Sequence, residues 1–491
     1  MKFFAIISIS FIICLLSYNK LYAQASTLYY MENIPSRNDL NPAFEPTQNF
    51  YLNLPVISGI SFMFGNNSFT LNDLLIPYNG KTITAFNQNA NPDAFLKTLY
   101  STTNITFQNR VNILGFGFKV KQNYFTFGIS ERTNSNVNVP RDLISLLLKG
   151  TPDTTNTNHY HLSTLGVDET AYLETAFGYA RQVSDQLSVG GKIKLLFGQA
   201  HADASFSQLD LNVNRQTVQL VGNGTARITT PFDIPQYSDG TPNFGQATKN
   251  GWGKIVGFGM GFDLGMEYKV LDNLSISTAL TDIGFIHWYK SNWTAQMTNP
   301  ASFSGMNATL NSNNTSFGKQ LGDSIKKAFT YSSNGNGYTT SLEGRFRVGA
   351  EYSVLDNKMS FGMLWQNAFG GVSSYDELTL SSNFRPVYWF NGSVSYSFLN
   401  GTLGTFGLGL NAIAGPLNFF LISDYIPLYF TKDGYPLKSK YLNCQFGIAL
   451  TFGHKSKVKL EQMREEGQEK KQKEQDKEEP PISVQMQTPI N

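Results

Sequence analysis

The chain has 491 residues, of which 15% are charged and 14% aromatic, with 43 glycines and a formal net charge of +2. Ordinary soluble proteins carry roughly 25% charged residues, so a chain this poor in charge is awkward to keep dispersed in water. The near-neutral balance gives no basis for binding nucleic acid.

The chain opens Met1-Lys2-Phe3, runs apolar to Leu16 and reaches Leu21-Tyr22-Ala23-Gln24. A short basic start, an apolar stretch and a small residue at the cut describe a cleaved export signal over residues 1–23. Its run of about 14 apolar residues falls short of the roughly 20 that a spanning helix needs. Cys14 lies inside that run, behind Ile12 and Ile13, where lipoprotein processing would want small residues. After cleavage Cys444 is the only cysteine, so no internal disulfide forms and the thiol is assigned no chemistry.

Residues 24–49 contain Pro35 and Pro42 and do not read as strand. They are expected to hang below a barrel or to fold into its lumen as a plug. Residues 50–453 then read as a series of strands, the most telling of them from Phe258 to Val270. Phe258, Met260, Phe262, Leu264, Met266, Tyr268 and Val270 are all apolar or aromatic. The residues between them, Gly259, Gly261, Asp263, Gly265, Glu267 and Lys269, are all tiny or charged. Strand side chains alternate between faces, so one face is greasy and the other polar. A bilayer-crossing strand of about 9–11 tilted residues needs that division, apolar toward lipid and polar toward a lumen.

The pattern recurs in pairs joined by short turns rich in Asp, Asn and Gly, residues that tolerate hairpin backbone angles. Leu173 to Val183 meets Leu187 to Phe197, Leu342 to Val354 meets Met359 to Trp365, and Phe384 to Phe398 meets Phe406 to Ala412 across Asn400-Gly401-Thr402. Between pairs lie long Asn/Thr/Ser segments, roughly 66–104, 134–170, 207–253 and 288–340. Leu209 to Val213 and Val218 to Val221 suggest a hairpin standing above the membrane. Tyr51 to Phe64 supplies a first strand and Leu442 to Phe452 a last one. Leu417 to Tyr429 adds a pair broken at Pro427. The fold expected is an all-β transmembrane antiparallel up-and-down barrel of about 14 strands (12–16), with short periplasmic turns and long extracellular loops. Residues 454–491 form a charged tail of balanced sign that cannot bury a core; it is expected to be disordered in the periplasm and is a candidate binding segment for a periplasmic partner.

Charges test the phase assignment, because Arg or Lys facing mid-membrane lipid costs roughly 2–4 kcal/mol. Lys192 and Lys194 oppose Val189, Ile193 and Leu195, while Glu343, Arg345, Arg347 and Glu351 oppose Leu342, Phe346, Val348 and Tyr352. With Asp263, Glu267, Lys119, Lys121 and Glu174 they would line the lumen, either as a selectivity site or, as favoured here, as an ion-pair network bracing the wall.

Enzymatic motifs are thin. Gly257-Phe-Gly-Met-Gly261 lies within a strand and opens no helix, so it is no phosphate cradle. His159 and His161 lack completing metal ligands. His201 and His287 sit near strands, yet no serine carries a nucleophile signature. No catalytic residue, cofactor or metal is expected.

Asn41-Pro42-Ala43, placed soon after an export signal, resembles the plug motif of FadL-type long-chain fatty-acid transporters. Those proteins follow it with Gly, whereas Phe44 stands here, a departure that bears on the plug's geometry. The stretch from Asn41 to Pro55, with Asn-Pro-Ala-Phe-Glu-Pro and Asn-Leu-Pro, resembles an uncharacterised family of outer-membrane barrels from Bacteroidota. The hairpin repeats are similar to those of PorV/PorP-like barrels serving secretion and gliding. The resemblance implies an exported outer-membrane barrel that passively moves or binds small molecules, hydrophobic ones included. Its alternative is a non-transporting barrel that acts as a structural or docking component of a secretion or motility complex.

Overall fold

The computed structural model describes residues 26–54, 57–150, 157–213, 217–238, 240–243, 246–247, 254–297, 301–304, 328–370, 375–399, 402–426 and 440–454. The expected export signal and the charged tail therefore lie outside the described residues.

A closed antiparallel barrel of 14 strands dominates the described chain. Its strands are β1 (Gln48–Asn53 and Ile60–Asn66), β2 (Thr102–Val120), β3 (Asn123–Pro140), β4 (Gly166–Gln182) and β5 (Leu187–Val213). They continue with β6 (Gly257–Leu271), β7 (Leu274–Trp288), β8 (Gly344–Val354), β9 (Met359–Phe369) and β10 (Tyr375–Val387). The circuit ends with β11 (Phe390–Leu399), β12 (Thr402–Ala414), β13 (Leu417–Ile426) and β14 (Tyr441–His454). Each strand pairs with its sequence neighbour, and β14 closes the circle on β1, Phe452 opposite Phe50 and Phe446 opposite Ile60. Closure removes the free edges that an open sheet would leave unpaired.

The outer wall explains the alternation. Phe258, Met260, Phe262, Leu264, Met266, Tyr268 and Val270 are 38–55% exposed, while Gly259, Gly261 and Asp263 on the other face are buried. Exposed Phe361, Met363, Leu380, Val394, Leu408, Leu410, Phe419 and Leu421 continue the belt around the wall. An apolar surface that encircles a closed barrel is stable only against hydrocarbon, so membrane embedding follows from the fold.

Short connections gather at one rim, among them 182–187, 271–274, 354–359 and 387–390. Leu355, Asp356 and Asn357 take φ of 52°, 53° and 65° in succession, a conformation that Asn and Asp accept more readily than Leu. Long connections gather at the other rim. There β5 outruns its partner β6, which it leaves at Gly198, and pairs from His201 to Val213 with Thr217–Thr229. This is the expected hairpin, and its second strand is extended by Ser291–Met297 and then by Thr330–Gly335. Two segments read as polar loops contain more order than expected. Helices Pro92–Thr98 and Arg141–Lys149 share a small core of Phe95, Leu96, Leu99 and Ile144.

Two strand boundaries and one lumen assignment differ from the sequence reading. Phe384 to Phe398 is not one strand, because the chain turns at Tyr388-Trp389 between β10 and β11. Aromatic turn residues disguised that corner, and the turn expected at Asn400–Thr402 consequently belongs to the opposite rim. Leu417 to Ile426 is a single strand, and 427–429 lie outside the described residues. Lys121 sits exposed in the β2–β3 turn at φ 56° and does not line the lumen.

Candidate functional site

The lumen is filled on the short-turn side by the chain's own segment 26–47. Its prolines donate no N–H and cannot join a ladder. It forms two short 3-10 turns instead, Ser26–Tyr30 and Pro35–Asp39, with Pro35 opening the second. Leu28, Tyr29, Tyr30, Met31, Ile34, Leu40 and Phe44 bury together against Leu364, Phe420 and Ile422 of the wall. Tyr29 meets Tyr30 and Phe44 edge-on at 5.0 and 4.9 Å, and the Arg37 guanidinium lies 3.8 Å over the Phe44 ring. Phe44 thus occupies a defined place in the plug core.

The wall makes room for this segment with glycine. Gly190 of β5 and Gly265 of β6 stand directly opposite one another across the ladder. A Cβ at Gly190 would lie 2.2 Å from the Pro42 carbonyl oxygen, and one at Gly265 would lie 2.0 Å from Asn41 Oδ1. Asn41-Pro42-Ala43 therefore rests on bare backbone. The Asn41 side chain joins segment and wall: Oδ1 accepts from Ala43 N at 3.0 Å, and Nδ2 donates to the Thr278 carbonyl at 3.2 Å. Gly362 makes the same space for Tyr30, whose hydroxyl donates to the Met363 carbonyl at 2.7 Å.

Polar wall residues hold the rest. Thr27 N donates to Asp424 at 2.7 Å and Ser26 Oγ to Glu377 at 3.0 Å. Arg385 donates to the Tyr30 carbonyl at 2.7 Å while pairing with Glu351 at 2.6 Å and approaching Glu32 at 3.7 Å. Arg347 bonds Gln366, Thr281 and the Leu40 carbonyl.

Above the segment the lumen becomes charged. Asp282 is the hub: it meets Lys194 at 2.6 Å, Arg132 at 3.2 Å and Arg345 at 3.3 Å. A bulge between β6 and β7 re-aims it inward, with φ at 60° and its N–H donated to Asp263 Oδ1 at 2.7 Å. Lys194 also pairs with Asp263 at 2.7 Å, Arg345 with Glu343 at 2.7 Å and Arg132 with Glu174 at 3.0 Å. Asp39 ties the plug into the network through Lys192 at 2.6 Å and Arg110 at 3.0 Å. Burial alone would raise the Asp39 carboxyl, but those two cations outweigh it and hold the group well below the usual carboxylate range.

The candidate charges thus divide. Lys192, Lys194, Asp263, Glu343 and Arg345 belong to one network; Arg347 and Glu351 instead secure the plug. Glu267 is half-buried and makes no ion pair among the described residues. Arg110, Arg132, Asp282 and Arg385 went unread. The first two lie where the outer face turns polar, and the bulge shifts the phase at the third. Over the network remains a polar space whose lining includes Arg110, Asn112, Arg132, Asn134, Arg345 and Gln445.

Among the described residues, His159, His161, His201 and His287 meet no serine hydroxyl. His201 stacks on Trp288 and bonds the Tyr338 hydroxyl at 2.8 Å, and His287 bonds Thr339 at 3.0 Å. His159 and His161 are exposed and bond Asn212 and Asp210.

Residues 42–424 match the family of unknown function DUF5723. The chain belongs to that family. Among curated proteins no relative matches. Among solved structures, the chain is similar to the Pseudomonas putida toluene transporter TodX, at 8% identity and a TM-score of 0.41, over 88% of this chain and 95% of that one. A Pseudomonas aeruginosa FadL homologue gives 9% identity and 0.40 over 88% and 96%. The translocator domain of the Neisseria meningitidis autotransporter NalP gives 8% and 0.32 over 82% and 89%. TM-scores this low decide nothing about what this chain carries.

Proposed function

We propose that the protein is an exported outer-membrane barrel that binds small molecules and passes them without chemistry when its plug shifts. The short-turn rim, with the start of the first strand and the end of the last, faces the periplasm in this reading, the usual arrangement for such barrels. One observation carries it: the lumen is closed by a non-spanning segment of the same chain, and a polar space remains above that segment. The wall is complete without the segment, because every barrel strand is paired on both sides. No catalytic or cofactor role is invoked.

Planar-bilayer recording tests this. The intact protein should be silent, and deletion of 26–47 should open a steady current. Gly265→Leu is the gentler variant, since its side chain must displace Asn41. Correctly assembled variants that stay silent would contradict the proposal. They would favour the second reading, a docking platform, which the folded sheet beyond the long-loop rim supports.

A further inference from the structure

We propose that the space above the plug binds small acceptor-rich anions, solutes carrying carboxylate or phosphate groups. This rests on the reading that the lumen receives solute, and it names the solute's chemistry.

The lining is not balanced in what it still offers. Each carboxylate that faces the space is already met by cations: Asp282 by three, Asp39 by Lys192 and Arg110, Glu343 by Arg345. The carboxylate oxygens of Glu174 and Asp263 that lack a hydrogen bond lie behind the lining, on side chains 2% and 1% exposed. Donors, by contrast, are left over. A guanidinium carries five N–H groups in a planar fork. Arg110 lines the space with a side chain 28% exposed; it commits Nη2 to Asp39, and its Nη1 makes no hydrogen bond among the described residues. Arg132 also lines the space but spends both terminal nitrogens on Asp282 and Glu174. The amides of Asn112, Asn134 and Gln445 face the same space and make no side-chain hydrogen bond among the described residues.

Unspent donors beside neutralised acids favour a ligand that brings acceptors and negative charge. Arginine forks match carboxylate and phosphate oxygens two at a time. A purely apolar solute would strand these donors in a dry contact, which costs about 1–3 kcal/mol per group.

The test is calorimetric titration of the full mature barrel in detergent with citrate and glucose 6-phosphate, set against maltose and toluene. Saturable binding of an anion probe is expected, weakening as salt rises. Arg110→Gln should weaken it about tenfold or more, with Arg110→Lys intermediate, because lysine keeps the charge and the Asp39 pair but loses the fork. Asn112→Leu, which leaves every ion pair in place, should weaken it by a smaller factor. Binding of maltose or toluene with no anion binding, anion binding indifferent to Arg110, or no binding of any probe would each overturn the inference. Plug-release currents are independent of the solute, so their appearance alongside failed anion binding would sink this inference alone. Silent plug variants would sink the transport reading instead.

Discussion

The two halves of the lumen are lined by the same strands and furnished in opposite ways. On the short-turn side the inner wall sets glycines and small hydroxyls beside a few charges such as Arg385, Glu351 and Glu377, and the space is taken by an apolar segment with rings at its centre. On the long-loop side the inner wall is dense in Arg, Lys, Asp and Glu, and the chain's own segment gives way to a polar space. A barrel wall cannot fill its own axis, so something must occupy the lower half or ions would cross. The glycines matter because they let another backbone approach closely. The charges matter because side chains that line this polar space must satisfy each other. Apolar filling and ionic bracing are therefore two answers to one geometric problem.

Breaking the lower half should cost most. Arg385→Leu removes the cation from Glu351 and Glu32 and the donor from the Tyr30 carbonyl. Leaving buried charge uncompensated typically costs about 3–5 kcal/mol. The urea midpoint of unfolding in detergent should fall, and protease should reach 26–47 in the mutant before the barrel unfolds. Unchanged protection of that segment would show that the plug does not depend on this contact.

Leu264→Arg comes next and contrasts the two faces of one wall. Placing arginine toward lipid should cost about 2–4 kcal/mol, whereas arginine at Asn134, on the lumen side, should assemble nearly as well as the native chain. Heat-modifiable electrophoretic mobility reports the assembled fraction, and equal fractions for both variants would undo the assignment of faces.

The smallest effect concerns acid. Because the Asp39 carboxyl is held well below its unfolded value, its contribution is complete above that value and is lost only as pH falls through the folded one. A fluorophore at Ser36→Cys, with Cys444 replaced by Ser, should keep its anisotropy from pH 7 to about pH 5. Loosening that begins near pH 5 would mean Asp39 is not clamped by Arg110 and Lys192.

The outer face was readable from Phe258 to Val270 because lipid enforces a strict period of two. The same parity located Lys192, Lys194 and Arg345 on the inner face. It failed where lipid stops acting. Near Asn109, Glu131 and Thr133 both faces carry polar residues, so the outer ends of β2 and β3 looked like loop. It failed again at the bulge that turns Asp282 inward, and at Tyr388-Trp389, where a turn is built from residues that read as strand. Asn41-Pro42-Ala43 stood out as a motif, but its seat did not. Gly190 and Gly265 are 75 positions apart and are joined only by the register of β5 on β6.

Spin labels scanned around the wall in lipid vesicles test the central claim most directly. With Cys444 replaced by Ser, nitroxides at Leu264, Met266 and Ile276 should collide with dissolved oxygen and be shielded from a nickel chelate. Labels at Asn112 and Asn134 should show the reverse. Similar oxygen and nickel access at all five positions would contradict a wall whose apolar side meets hydrocarbon and whose polar side encloses a lumen.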